Sequence, residues 1–244
     1  MIVLSQAPES IATQMAAQIA QILGLQVYTL SSNFGLSELK AAICSTEATF
    51  GVWLGEPPQS DRYKTVYEAL LTLNVRLFNR PDQYAIARQF HPIYDRLQDL
   101  TPADILTPPT AQAWTEVRQQ ANLRYGESLS GILQGVALQD QPLEKPLGRA
   151  FRVYLYHQTI VTYAYSWAAD DPLKWLTVEE EEAIFAVALE AATRIDLPLL
   201  AIDIGQQQCG RWVVLEVGDA QFSLLCQMSM IPFWGELERL SVQL

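Results

Sequence analysis

The segment from Leu200 to Asp219 constrains the fold more than any other, because it has the pattern of two β-strands joined by a tight turn. Cys209 and Gly210 separate two runs of alternating side chains, and glycine supplies the positive φ that a two-residue hairpin turn requires. With these two residues as the turn, Asp203 lies directly opposite Glu216. The sequence therefore predicts a hairpin in which two carboxylates are side by side.

Alternation along the two strands gives this hairpin one apolar face and one acidic face. Opposed side chains have Cβ atoms about 4.5–5.5 Å apart, so two carboxylates there repel unless one is protonated, solvated or bridged by a cation. A divalent ion such as Mg²⁺ would remove the conflict, and the alternative is an ordinary solvated surface hairpin. The predicted apolar face carries Leu200, Ile202, Ile204, Val213, Leu215 and Val217, and the acidic face Ala201, Asp203, Gly205, Gln207, Trp212, Val214 and Glu216.

The composition, with 50% hydrophobic and 18% charged residues among 244, predicts a soluble globular protein with one large domain or two small ones. The net charge of −11 argues against binding to nucleic acid or to anionic membranes, which requires clustered Lys and Arg. No Lys or Arg precedes Lys40, and no apolar run approaches the roughly 20 residues that span a bilayer. Three cysteines without CxxC spacing suit reduced thiols, so a cytoplasmic location is expected.

The first third of the chain alternates short apolar runs with helical patterns, which predicts a small open α/β sheet. No GxGxxG or GxxxxGK[ST] motif follows the first strand, so this part carries no dinucleotide or Walker-type phosphate signature. The predicted strands cover 1–5, 25–30, 48–54 and 75–78, and the predicted helices cover 10–23, 35–44, 64–73 and 83–98.

The second part of the chain has the pattern of an antiparallel sheet with helices. A second hairpin is predicted over 148–156 and 160–167, since aromatic and β-branched residues alternate there. Thr177 and Glu180 form a capping-box pattern that begins a helix to about 195. A final strand over 221–226 and a closing helix over 231–240 complete the prediction. Prolines near 101–110 favour a domain boundary there, giving domains over 1–105 and 106–244.

The acidic hairpin also resembles a known family. After Asp203, the run Gly210-Arg-Trp-Val-Val-Leu-Glu216-Val-Gly-Asp219 resembles the end of an ATP-grasp domain, where an Asp strand precedes a strand ending in Glu-x-Asn. In that superfamily these three residues hold the magnesium ions of ATP. Gly218 stands where the pattern has Asn, and Asp219 follows it, as in poorly characterised bacterial and phage branches. The resemblance implies Asp203, Glu216 and Asp219 as metal ligands.

The second hairpin is similar to the Arg-Val strand pair of the same family. The resemblance implies Arg152 as the catalytic residue, in bidentate contact with a phosphate or a substrate carboxylate, with Lys145 and Arg149 as further phosphate contacts. The alternative for Arg152 is a strand arginine paired with a surface acid.

The region 111–145 departs from the family, because it is contracted and contains no strand lysine before Lys145. The family has such a lysine at the α- and β-phosphates. The resemblance implies that backbone groups near Gln134 and Val136 meet the adenine base.

The expected fold class is therefore α+β: a small N-terminal open α/β sheet followed by an ATP-grasp-like antiparallel sheet with helices. The resemblance implies a Mg²⁺- and ATP-dependent carboxylate-amine ligase that forms an acylphosphate on a small-molecule or peptide substrate. Two alternatives stay open. One is a degenerate ATP-grasp fold that binds or scaffolds without catalysis, and the other is an acidic α+β interaction domain whose resemblance is accidental.

Overall fold

A computed structural model describes residues 1–7, 10–43, 47–101, 149–166, 171–207, 209–224 and 228–242. The predicted linker prolines and the strand-like run at 131–138 lie outside these ranges. Within the described ranges, no helix combines the length and the apolar character that a membrane crossing needs.

The N-terminal part is an open parallel sheet of four strands in the order β2-β1-β3-β4, as the sequence predicts. Its first helix begins after Ser10, whose side chain accepts a hydrogen bond of 3.1 Å from the backbone N–H of Thr13. Helices pack against the sheet and bury apolar strands such as Ile2–Gln6 between them. The strands are β1 (Ile2–Gln6), β2 (Gln26–Leu30), β3 (Thr49–Leu54) and β4 (Val75–Leu77), and the helices are α1 (Ile11–Ile22), α2 (Leu36–Ala42) and α3 (Ser60–Leu71).

The C-terminal part is an antiparallel sheet of four strands in the order β6-β5-β7-β8. Both predicted hairpins are present in it, and the α+β fold class is confirmed. The strands are β5 (Arg149–Tyr156), β6 (Thr159–Tyr165), β7 (Leu199–Gln206) and β8 (Trp212–Asp219). The helices are α4 (Pro81–Ala87), α5 (Phe90–Leu97), α6 (Val178–Arg194) and α7 (Met230–Ser241).

Two predicted elements differ from the structure. The helix expected over 83–98 is two helices, α4 and α5, because the chain turns out of helical geometry between them at Arg88 and Gln89. The final strand expected over 221–226 is wrong, since residues Ala220–Phe222 form a 3₁₀ turn that Asp219 caps through its side chain.

The two faces of the second sheet have different covers. Helices α5 and α6 cover one face, where α5 contributes Ile93 and Leu97 to the apolar core. Helix α7 packs on the other face and also on α1, and the indole N–H of Trp234 donates to the carbonyl of Ala16 at 2.8 Å. Although α5 precedes the predicted boundary at 105, its packing is with the second sheet.

Buried side chains join the two sheets directly. The amide of Asn79, just after β4, donates to the carbonyl of Leu199 and accepts from its N–H, both at 2.8 Å. The side chain of Gln221 accepts from the backbone N–H of Trp53 at 3.1 Å and donates to the hydroxyl of Tyr63 at 3.3 Å. These bonds satisfy buried polar groups and hold the start of β7 and the end of β8 against the first sheet.

Candidate functional site

The predicted pairing of the two carboxylates is confirmed, because Asp203 on β7 lies directly opposite Glu216 on β8. The turn is longer than predicted. Gln207 donates to the carbonyl of Arg211 and Gly210 donates to that of Gln207, each at 2.9 Å, and Gly210 has a φ of 85°. Because Gln207 is bound to Arg211 and not to Trp212, the pairing near the turn is shifted by one residue.

A β-bulge in β8 restores the predicted register at the acid pair. Ile204 pairs with Val214 and not with Leu215, so the extra residue lies between Val214 and Glu216. The predicted faces are wrong between the turn and the bulge. Trp212 and Val214 pack in the apolar core below α6, where the sequence predicted Val213.

Arg152 completes a charged row across three strands, since it is the partner of Asp203 on the β5 side. Its Nε and Nη2 atoms each donate to one carboxylate oxygen of Asp203 at 2.6 Å. Only 12% of the Arg152 side chain and 2% of the Asp203 side chain are exposed. This is a buried bidentate ion pair, the geometry in which an arginine-carboxylate contact is strongest.

Glu216, at the end of this row, is the acid without a counterion of its own. Its Oε2 atom is buried and has no hydrogen-bond partner among the described residues. Burial, reinforced by the charge of Asp203 and opposed by Arg152, raises the pKa of Glu216 from 4.5 to about 8. The repulsion that the sequence predicts is thus relieved by an arginine at Asp203 and by a proton at Glu216.

A short segment after β8 crosses the same face. The carbonyl of Ser223 accepts from Arg152 Nη1 at 2.9 Å and from the hydroxyl of Tyr154 at 2.8 Å. The hydroxyl of Ser223 donates to the carbonyl of Asp219 at 2.8 Å. Sequence reasoning missed Ser223 because it interpreted this stretch as a strand. The signal was available in Asp219, whose side chain accepts from the N–H two residues later and so marks a turn.

Asp219 is not brought to the acid pair. It lies three residues after Glu216, so its side chain leaves the strand on the opposite side, where it is buried and bound by Gln221. Burial raises the pKa of Asp219 to about 6. In the described ranges, no cluster of three His, Cys, Asp or Glu side chains suits a metal ion. The predicted role of Asp219 as a third ligand has no geometric support.

Arg149 lies on the face of β5 opposite to Arg152. Its guanidinium binds the carboxylate of Glu180 and donates to the carbonyls of Leu173 and Trp175 at 2.9 and 2.6 Å. It therefore anchors the start of α6, and the structure gives no support to its predicted phosphate contact. The other predicted nucleotide contacts lie outside the described residues: Lys145, Gln134 and Val136.

The site has features that fit a bound cation. Arg152 engages each oxygen of Asp203 once, and a carboxylate has about four lone-pair directions, so acceptor capacity remains. The unpartnered Oε2 of Glu216 lies on the same face. Carboxylate oxygens are the ligands that Mg²⁺ prefers. Two carboxylates and one arginine leave a net negative charge when both acids are ionised, and a cation would balance it.

Comparisons with known proteins agree with this geometry. Residues 83–237 match a family model for the ATP-grasp domain, the third family of one clade of that superfamily. No curated protein matches the chain. The structure is similar to D-alanine–D-alanine ligase from Bacillus anthracis complexed with ATP, with 12% identity, a TM-score of 0.57, and coverage of 99% of this chain and 95% of that one.

Two further solved structures share the fold. D-cycloserine synthetase DcsG has 14% identity and a TM-score of 0.53, with 98% of this chain and 99% of that chain covered. L-amino acid ligase from Bacillus licheniformis has 14% identity and a TM-score of 0.53, with 89% and 66% covered. At this level of identity the similarity establishes the fold alone. Because the family match spans more than half of the sequence, this chain belongs to that clade family of the ATP-grasp domain.

Proposed function

We propose that the protein is a Mg²⁺- and ATP-dependent ligase that joins a carboxylate to an amine through an acylphosphate. The observation that carries this proposal is the pair Asp203 and Glu216, opposed on one sheet face, with a buried and unpartnered oxygen on Glu216. A similar ATP-grasp ligase, PsnB, is known in complex with Mg and ADP, at 12% identity and a TM-score of 0.52.

The two acids would hold the magnesium ion. Asp203 would use the acceptor directions that Arg152 leaves open, and Glu216 would bind in its ionised form after losing its proton. The ion would neutralise charge on the β- and γ-phosphates. Asp219 would join them only if Gln221 released it.

Arg152 has two roles in this proposal. Its bidentate contact fixes the orientation of Asp203, and three of its five N–H groups are used by Asp203 and Ser223. The two that remain can donate to the transferred phosphoryl group or to the substrate carboxylate, where charge develops during the reaction. We place Lys145 among the phosphate contacts and the backbone near Gln134 and Val136 at the adenine.

The chemistry needs no protein nucleophile. An oxygen of the substrate carboxylate attacks the γ-phosphorus of ATP, and ADP leaves. The amine then attacks the acyl carbon, and inorganic phosphate leaves with the bonding electrons. Positioning and charge stabilisation are the main requirements, which suits a chain with two histidines. We propose a carboxylate on a small molecule or peptide as the substrate, since PsnB is known with a precursor peptide and AMPPNP.

Thermal unfolding with and without Mg-ATP tests the proposal. Wild-type protein should be stabilised by about 2.7 kcal/mol when the nucleotide is at a hundred times its Kd, and Glu216→Gln should abolish the shift. Glu182→Gln is the matched control, because Glu182 is exposed on α6 and belongs to the other face. Release of phosphate with a panel of carboxylates and amines then measures turnover. Absence of any shift at millimolar Mg-ATP in the wild type would contradict nucleotide binding.

One observation favours a second candidate, a binding protein without catalysis. Arg152 contacts both oxygens of Asp203, and Asp219 is turned away, so the described residues supply fewer free acidic ligands than the family pattern implies. Stabilisation by nucleotide without phosphate release on any substrate of the panel would support this candidate.

A further inference from the structure

Gly218 lies beside the acid pair on the same face of β8. It is two residues from Glu216 in a regular stretch of strand, and it pairs with Ala201 as Glu216 pairs with Asp203. A Cβ atom placed on Gly218 would be 3.3 Å from Oγ of Ser223. The hydroxyl of Ser223 therefore occupies the space into which a side chain at position 218 would project.

Ser223 is held in that space from several directions. Its carbonyl accepts from Arg152 and Tyr154, and its hydroxyl donates to the carbonyl of Asp219. Arg152 binds Asp203 at the same time, so one guanidinium fixes both the carboxylate and the Ser223 backbone. The position of the hydroxyl is thus tied to the position of the acid pair.

The direction of the hydroxyl proton decides what its oxygen can bind. Since the proton is donated to the carbonyl of Asp219, the lone pairs of Oγ stay available as an acceptor. A serine or threonine hydroxyl is an established ligand of Mg²⁺ in nucleotide sites. A neutral oxygen also adds no charge to a row that already holds two carboxylates.

From these contacts we infer that Ser223 supplies a third oxygen to the cation that Asp203 and Glu216 hold, in place of a side chain at position 218. This inference rests on the proposed function and names a ligand for its metal. It assigns the third position to the segment after β8 and not to Asp219, whose carboxylate is bound to Gln221 on the other side of the strand.

Titration of Mn²⁺ into the full-length protein with a non-hydrolysable ATP analogue tests the inference, with free Mn²⁺ measured by electron paramagnetic resonance. Ser223→Ala should weaken Mn²⁺ binding about tenfold, the lower end of losses at metal sites. Asp219→Asn should not. Adding Gly218→Asn to Ser223→Ala should restore affinity, because the amide then projects into the space that the hydroxyl left. Ser241→Ala, which removes an exposed hydroxyl on α7, is the control.

The variant Ser223→Cys keeps the size of the side chain and replaces a hard oxygen with a soft sulfur. Its affinity for Cd²⁺ relative to Mn²⁺ should rise above the wild-type ratio. This measurement compares two ions on one folded protein, so it holds even where Ser223→Ala is poorly folded.

The outcomes separate the inference from the function on which it rests. A wild-type protein that binds neither the analogue nor Mn²⁺ overturns both. A wild-type protein that binds both, with Mn²⁺ affinity and Cd²⁺ preference unchanged in the Ser223 variants, overturns the inference alone. Loss of Mn²⁺ in Asp219→Asn with Ser223→Ala unaffected also overturns it and identifies Asp219 as the ligand.

Discussion

The two faces of the C-terminal sheet consist of the same four strands but bury different chemistry. The face below α5 and α6 buries aliphatic and aromatic side chains, among them Phe151, Ile202 and Ile204. The opposite face buries Arg152 and Asp203 one residue away on the same strands and half-buries Glu216. Apolar burial stabilises the fold by about 25 cal/mol per Å². Burial of charges costs free energy unless every group is paired.

The difference teaches where stability and function reside. A buried ion pair is weak evidence of stabilisation, since apolar residues of similar volume are often as good or better. An unpartnered acid with a raised pKa beside such a pair adds a further cost. The charged face is therefore the part of the sheet that folding alone does not explain, and a ligand that balances its charge does explain it.

The largest expected effect comes from Arg152→Met. This change leaves Asp203 buried beside Glu216 with no cation, and loss of one partner of a buried pair costs about 3–5 kcal/mol. Urea unfolding should show the loss in the free energy of unfolding. The double variant Arg152→Met with Asp203→Leu should regain most of it, because no charge is then stranded.

Ile202→Ala is the matched change on the apolar face. It should cost about 2–5 kcal/mol through the cavity that it leaves. No partner substitution equivalent to the double variant is expected to rescue it. If the double variant at Arg152 and Asp203 is no more stable than Arg152→Met, the charged face is stabilising in its own right and the contrast between the faces fails.

The next effect is a dependence of stability on pH that belongs to the charged face. Folded Glu216 has a pKa of about 8 against 4.5 unfolded, so the folded state binds the extra proton between these values. The free energy of unfolding should fall as pH rises through this window, by at most about 1.4 kcal/mol per pH unit, and the contribution is lost above the folded pKa. Asp219 acts with the same sign, but its window ends near pH 6.

Unfolding from pH 6 to 9 in EDTA therefore isolates Glu216. Glu216→Gln should flatten the slope in that range, and Glu182→Gln should leave it unchanged. A wild-type slope that survives in Glu216→Gln would show that another group titrates there and that Glu216 does not carry the extra proton.

The sequence predicts the acid pair correctly for a reason that is partly compensating. The turn is one residue longer than predicted, and the bulge before Glu216 adds one residue to β8, so the two shifts cancel at Asp203. They do not cancel between Trp212 and Val214, where the predicted faces are wrong. Alternation predicts which residues share a face only between irregularities, and a bulge has no strong signal in the sequence.

The rest of the site depends on contacts between distant segments. Arg152 and Asp203 are 51 residues apart, and their pairing follows from the strand order β6-β5-β7-β8, which neither hairpin specifies by itself. Sequence reasoning kept the ion pair only as an alternative for Arg152, with a surface acid. The opposite orientation of Arg149 follows from alternation along β5, since an odd spacing of three residues separates the two arginines.

The smallest expected effect tests whether the apolar face can be loosened without disturbing the charged one. The hydroxyl of Thr177 accepts from the N–H of Glu180 at 3.3 Å, and the carboxylate of Glu180 binds the N–H of Thr177 and the guanidinium of Arg149. Thr177→Ala removes this cap of α6 and should cost about 1 kcal/mol in thermal unfolding. Thr177→Ser should retain the cap. The shift with Mg-ATP should be equal in both, because α6 covers the other face. A weaker shift in Thr177→Ala alone would mean that the two faces are energetically coupled through β5, where Arg149 and Arg152 lie three residues apart.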